Sequence, residues 1–476
     1  MNISKDRLTI LFFACIYLVM TYFFLINAIK QNAIGKIICV GLLSPFVVLI
    51  INHNSKYWLG ILIGLCGFTT TRIPIPLVQG FSIYSLFIGI ILILILFEHL
   101  MNRRKWMLDW NLRYSLFFIF MILIIGRILV DPPGSARLGG TGGLSTALPY
   151  AMGSLAFFVG YLIIIKSQNW KKNIIIAFTI LIIAYFMLHI FSRSAQVNLG
   201  QHILYAKTFN RQFYLILSMW LATGISLAYL KPNLFKSRSI ILFALAIVSV
   251  VRSAPFQAFA MIAMAGYLYN KLGRTLIFNI IVGLIGISLL LTIIPFDNLP
   301  RPVQRTVSVL VPAREFDEND MGLQSRFRED LVKVAMAEIK SDPLFGKGWS
   351  FSLEEILGAV SINIFRDART AKLAMTGSYH NSLLTLAAKN GILAALIYVI
   401  AILMSFYSAS QWVKQLPDKN VHKKRLSGLL IYAVCLTIMM LVNGSGYELT
   451  MLALTFGVIS GYIDRVKFAP ESIKYL

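Results

Sequence analysis

Runs of about twenty apolar residues recur along nearly the whole chain, from "LTILFFACIYLVMTYFFLINAI" near the N-terminus onward. Each is long enough to cross a hydrocarbon layer of roughly 30 Å as a helix. A soluble protein of 476 residues could not hide a composition that is 58% hydrophobic and only 13% charged. A membrane barrel would instead alternate polar and apolar residues. The expected fold class is all-α: a polytopic membrane protein with about 14 transmembrane helices. The spans fall at roughly 7–29, 34–52, 57–75, 79–101, 113–131, 148–166, 172–191, 212–230, 238–251, 254–270, 275–296, 388–409, 427–443 and 447–463. The first run is too long for a signal-peptide core and lacks a small-residue cleavage site, so an uncleaved first span is expected.

This layout divides the chain into a membrane region over 1–296 with about eleven spans, a polar segment over 297–380, and a C-terminal membrane region over 381–476 with about three. The polar segment is the one stretch large enough to form a folded unit outside the bilayer. It contains an amphipathic helix, "RFREDLVKVAMAEIK" (326–340), with Leu331, Val334, Ala335 and Ile339 on one face and Ser325 as its expected N-cap. Pro343 should stop that helix, and "LFGKGW" should follow as a turn.

A net charge of +24 first suggests nucleic acid. The distribution argues otherwise. Much of the excess sits in short loops between apolar runs: "NRRK" (102–105), "KSQNWKK" (166–172), "KPNLFKSR" (231–238), "KLGR" (271–274) and "KNVHKKR" (419–425). Cytoplasmic loops of membrane proteins carry such an excess. With both termini in the cytoplasm, every one of these loops lies inside, and 132–148, 192–211, 251–255 and 297–380 lie outside. Nucleic acid is not expected as a partner. The four cysteines, Cys15, Cys39, Cys66 and Cys435, all fall in apolar runs without metal-ligand spacing, so they read as packing residues.

No stretch fits a metal or a soluble cofactor. The "GKG" at 346–348 lacks the spacing and the following Ser/Thr of a phosphate loop. "DENDMG" (317–322) places Asp317, Asn319 and Gly322 as a calcium loop would, but Met321 and Arg328 stand where oxygen ligands are needed.

Two residue types carry the candidate chemistry. Of six histidines, His380 alone closes the polar segment and opens a helix with Asn381 and Ser382. A helix N-terminus disfavours imidazolium, leaving a neutral ring able to accept a proton. The plain alternative is an interfacial histidine satisfied by water. The second type is arginine on the outer side: Arg193, Arg211, Arg252, Arg326 and Arg328. Arg252 sits in a very short turn between two spans, where a guanidinium is costly unless it meets a polar cavity or an anion. Any single one could contact a lipid headgroup. As a set they suit a phosphorylated lipid, because the arginine fork makes two parallel bonds to phosphate.

Three stretches, in order, resemble the O-antigen ligase and polymerase superfamily of bacterial membrane glycosyltransferases. "VVRSAPFQAFAMIAM" (250–264) resembles its arginine turn at the outer end of a span. "LQSRFREDLVKVAMAEIKSDPLFGKGWSFS" (323–352) resembles its arginine-headed helix closed by proline and a Gly-x-Gly turn. "SYHNSLLTLAAKNGILAALIYV" (378–399) resembles its His-Asn helix. The resemblance implies a GT-C-like fold in the bacterial inner membrane with its active site on the periplasmic face. It implies an undecaprenyl-diphosphate-linked oligosaccharide as donor, no metal and no other cofactor. The acceptor would be another carrier-linked glycan in a polymerase, or lipid A-core in a ligase. On the same basis Arg252 and Arg326 bind the diphosphate and His380 assists the acceptor hydroxyl, with Arg211, Arg328 and Asn381 as secondary candidates. A chain-length regulator and membrane lipids complete the implied partners. The expected number of spans favours the polymerase. A protein O-oligosaccharyltransferase fits less well, because the chain continues only briefly past its last span. The rival class is a transporter or lipid flippase, which should place polar groups at mid-span rather than at the outer edge.

Overall fold

The computed structural model describes residues 74–75, 78–82, 111–131, 143–166, 254–293, 318–349, 379–442 and 446–468. The expected spans at 7–29, 34–52, 172–191, 212–230 and 238–251, together with Cys15, Cys39 and Cys66, lie outside these residues.

The described elements run in the order β1 (Pro74–Ile75), β2 (Val78–Ser82), α1 (Leu112–Val130), α2 (Gly143–Lys166), α3 (Ala254–Leu268), α4 (Leu272–Ile293), α5 (Glu318–Ser341), α6 (Ser382–Gln415), α7 (Val421–Val442) and α8 (Tyr447–Phe468). Apart from β1 and β2 the described elements are helices, as expected. Four of them are long and apolar enough to cross a membrane: Leu112–Val130, Ser382–Gln415, Val421–Val442 and Glu448–Lys467.

Two expected boundaries need correction. Helical spans were expected to end at 75 and to restart at 79, but Pro74–Ile75 and Val78–Ser82 pair as antiparallel strands. Pro74 and Pro76 lack the amide hydrogens that a helix needs there. Helix α5 begins at Glu318, so Ser325 lies within it and is not its N-cap. Glu318 and Asp320 suit the positive end of a helix dipole, and they extend the helix beyond its amphipathic part. The same fact takes residues 318–322 out of any calcium loop, because they form helix. Helix α6 starts at Ser382 with Asn381 as its N-cap, in line with the helix expected to open after His380, and runs on into the span expected from 388.

Other expectations hold. Leu331, Ala335 and Ile339 of α5 are buried, and the helix stops at Ser341, two residues before Pro343. Cys435 is buried, with its thiol 3.6 Å from Gln257 Oε1.

Packing centres on α8, which is buried along most of its length and lies against α2. Small residues set that approach. A Cβ on Gly457 would overlap the Phe157 carbonyl, and one on Gly160 would overlap the Leu454 carbonyl. Close backbone approach through small residues is how helices associate where no water drives them together. Around this seam Phe117 stacks on Phe157 with centroids 3.9 Å apart, and Tyr398 packs on Phe120 at 4.9 Å.

The bundle has two distinct ends. At one, Tyr114 and Tyr161 both donate to Asp464 Oδ2, at 2.5 and 3.1 Å. Arg465 donates to the Ile164 carbonyl at 2.9 Å, and His422 Nδ1 lies 2.6 Å from the Tyr462 hydroxyl. Lys414 stands 3.3 Å over the Tyr267 ring, and Lys423 bonds the Leu416 carbonyl at 3.0 Å and Asp418 at 2.9 Å. This end joins the start of α1, the ends of α2 and α8, and the α3–α4 and α6–α7 turns. It gathers the basic loops 271–274 and 419–425. The opposite end joins the C-terminus of α5 to the start of α6.

Candidate functional site

At this second end, helix α6 is not one straight rod. Gly391 has φ 89° and ψ 159°, which divides it into a short outer arm, Ser382 to Asn390, and a long inner helix. A kink frees backbone groups that must find other partners. Here the turn after α5 supplies them. The Lys347 amide donates to the Ala388 carbonyl at 2.9 Å, the Gly348 amide to the Lys389 carbonyl at 3.0 Å, and the Ile392 amide to the Pro343 carbonyl at 2.8 Å. The expected Gly-Lys-Gly turn is therefore real, and its backbone completes the break in α6.

Glycine is required on both sides. Gly346 has φ 71°, and a Cβ there would meet the Gly391 amide. A Cβ on Gly391 would overlap the Leu344 carbonyl. Gly391→Ala should therefore lower stability by about 2 kcal/mol, combining the strain of a positive-φ extended conformation that only glycine readily adopts with that overlap. The check is the melting temperature of the purified protein. An unchanged value would mean that α6 can run straight.

The turn is clamped further. Arg127, near the end of α1, donates to the Gly346 carbonyl at 2.7 Å and lies 3.9 Å from Asp131. Trp349 is buried, donates to Asn390 Oδ1 at 3.2 Å, and packs on Tyr150 with centroids 5.4 Å apart.

His380 stands immediately before the outer arm. It is half-buried, with φ 53°, a left-handed conformation uncommon outside glycine. Such a conformation persists only when the surroundings impose it. Three elements do so. Asn381 is the N-cap of α6, and its side-chain oxygen accepts from the Leu384 amide at 3.0 Å. Tyr150 of α2 donates to the Ser382 carbonyl at 3.3 Å. Tyr379 donates to Glu338 Oε2 of α5 at 2.5 Å.

Glu338 is the centre of a buried polar group. Lys389 approaches both carboxylate oxygens, at 3.1 and 3.0 Å, and Lys347 lies 3.8 Å away. Glu338, Lys389 and Tyr379 are 7%, 2% and 2% exposed. Burial first, and then the Glu338 carboxylate, push the Tyr379 pKa up, so its hydroxyl stays a donor.

Of the sequence-predicted site residues, the structure locates His380 and Asn381 fully, with Asn381 serving as a cap. Arg326 lies in α5, about 18 Å along the axis from Glu338, and its side chain is outside the described residues. Arg328 is exposed on the same helix. Arg252 and Arg211 lie outside the described residues. Sequence reasoning missed Glu338, Lys389, Arg127 and the buried Glu448 in the first turn of α8. Each had a signal: a charged residue inside an otherwise apolar helical face or run.

Residues 237–399 match the family model described as O-antigen ligase. All three resembling stretches lie within or end at that match. No curated protein and no solved structure matches the chain.

Proposed function

We propose that this chain, whose residues 237–399 match the O-antigen ligase family model, transfers glycan from an undecaprenyl-diphosphate carrier to a sugar hydroxyl at the periplasmic face of the bacterial inner membrane. The observation that carries this reading is His380: held in a left-handed conformation by three elements, at the bundle end opposite the basic loops.

In this mechanism the acceptor hydroxyl attacks the anomeric carbon as the bond to the diphosphate oxygen breaks. The neutral His380 ring takes the hydroxyl proton. Undecaprenyl diphosphate leaves with the bonding electron pair, and Arg252 and Arg326 stabilise the charge developing on it without a metal. Attack opposite the leaving group inverts the anomeric centre. Basic loops at the other end support a cytoplasmic assignment for that end, and hence a periplasmic one for 297–380.

Transport is the weaker reading. Among the described residues the buried charged groups, Glu338, Lys389, Lys423, Glu448 and Asp464, all sit near helix ends, where an enzyme at the membrane edge would hold them. The acceptor is a carrier-linked glycan if the chain is a polymerase, which the expected span number favours. The family description gives the ligase as the second reading. Lipopolysaccharide from a deletion strain separates them. Core carrying a single repeat unit is the expected pattern. Bare core with accumulated long carrier-linked glycan would mean a ligase, and a loss of periplasmic carrier-linked glycan would mean a flippase.

A further inference from the structure

We propose that Glu338 is a positioning residue for His380, acting through Tyr379 and Lys389; this rests on the reading of His380 as the group that handles the acceptor hydroxyl. Tyr379 is the residue immediately before His380, and Lys389 is the penultimate residue of the outer arm, two before the Gly391 kink. Both bond one carboxylate, the tyrosine hydroxyl at 2.5 Å and the ammonium at 3.0 Å. Glu338 thus grips the outer arm of α6 at both ends, from a different helix.

Geometry favours positioning over mere adhesion. The bonds donated by the Lys347 and Gly348 amides and the one accepted by the Pro343 carbonyl already dock α5 on the kink, so adhesion does not need the carboxylate. Those bonds reach only residues 388–392. The Tyr379 hydroxyl bond acts at the other end of the arm, beside the one described non-glycine residue with a left-handed backbone in this region. Charge-assisted bonds are short and directional, which suits orientation. One carboxylate faces two ammonium groups, Lys389 and Lys347, so the cluster adds no net negative charge beside a diphosphate substrate.

The test uses the full chain in proteoliposomes with undecaprenyl-diphosphate-linked oligosaccharide as donor. Tyr379→Phe removes a single hydroxyl and should lower kcat about tenfold or more, while the donor KM stays within about twofold. Glu338→Gln should do the same, and Lys389→Arg should retain far more turnover than Lys389→Met. Because the network acts through His380, Tyr379→Phe should cost less than about twofold in a His380→Ala background. If Glu338→Gln fails to fold, Tyr379→Phe decides. Wild-type kcat in folded Tyr379→Phe overturns the inference, as does a loss that appears in donor KM or one that is undiminished in the His380→Ala background. Full activity of His380→Ala overturns the parent reading and the inference with it. An inactive His380→Ala beside fully active Tyr379→Phe and Glu338→Gln overturns the inference alone.

Discussion

His380→Ala should lose about 10²–10⁴-fold in turnover while donor binding survives, because positioned general-base help is worth that much and the diphosphate contacts are assigned to arginines. The structure sharpens this expectation. His380 has a left-handed backbone conformation that alanine adopts no more readily, so the substitution removes the imidazole without relieving a strain peculiar to histidine. The cap and the Tyr379 bond belong to neighbouring residues and should persist. His380→Gln keeps hydrogen-bonding capacity but cannot take up a proton. Wild-type activity should fall on the acid side as the ring is protonated, and that limb should be absent from His380→Gln. If His380→Gln instead turns over near the wild-type rate with an unchanged pH profile, His380 only orients the acceptor.

What the sequence made legible was what depends on local pattern. The apolar periodicity of 113–131, 254–270, 427–443 and 447–463 located α1, α3, α7 and α8 within a few residues. Basic residues in short turns identified the loops that meet at one end. Proline at 343 ended α5, and "GKG" read as a turn. The failures were relations between distant segments. "AAKNGI" reads as helix with one tolerated glycine, and only the backbone of residues 343–348 makes the break at Gly391 possible. Glu338 and Lys389 lie 51 residues apart, and neither local sequence names the other as its partner; their pairing depends on the two helices meeting. Arg127 lies within the expected span 113–131, and its bond to the Gly346 carbonyl again joins segments far apart in the chain. Ser325 has the right chemistry for a cap and the wrong neighbours, because Glu318 and Asp320 start the helix earlier.

Arg252→Ala and Arg326→Ala should each lower transfer by about 10²–10³-fold, the cost of removing one group aimed at developing negative charge. The two substitutions should leave the protein inserted and folded. For Arg326 that expectation has a structural basis: the buried residues of α5 among those described, Leu331, Ala335, Glu338 and Ile339, lie five or more positions away toward its C-terminus. The lock on α6 lies further still toward the C-terminus, at 343–348. Lysine at either position should recover little, since a compact ammonium cannot make the two parallel bonds that a guanidinium makes to phosphate oxygens. Donor KM and kcat should both respond, unlike at His380, because the diphosphate is bound in the ground state and gains charge in the transition state. Full activity of Arg252→Lys would contradict bidentate recognition of the diphosphate. The same assay in EDTA should proceed at the untreated rate. Strong inhibition reversed by magnesium would transfer the work of charge stabilisation from these arginines to a metal ion, and would direct the search for its ligands to the acidic residues at 317–320.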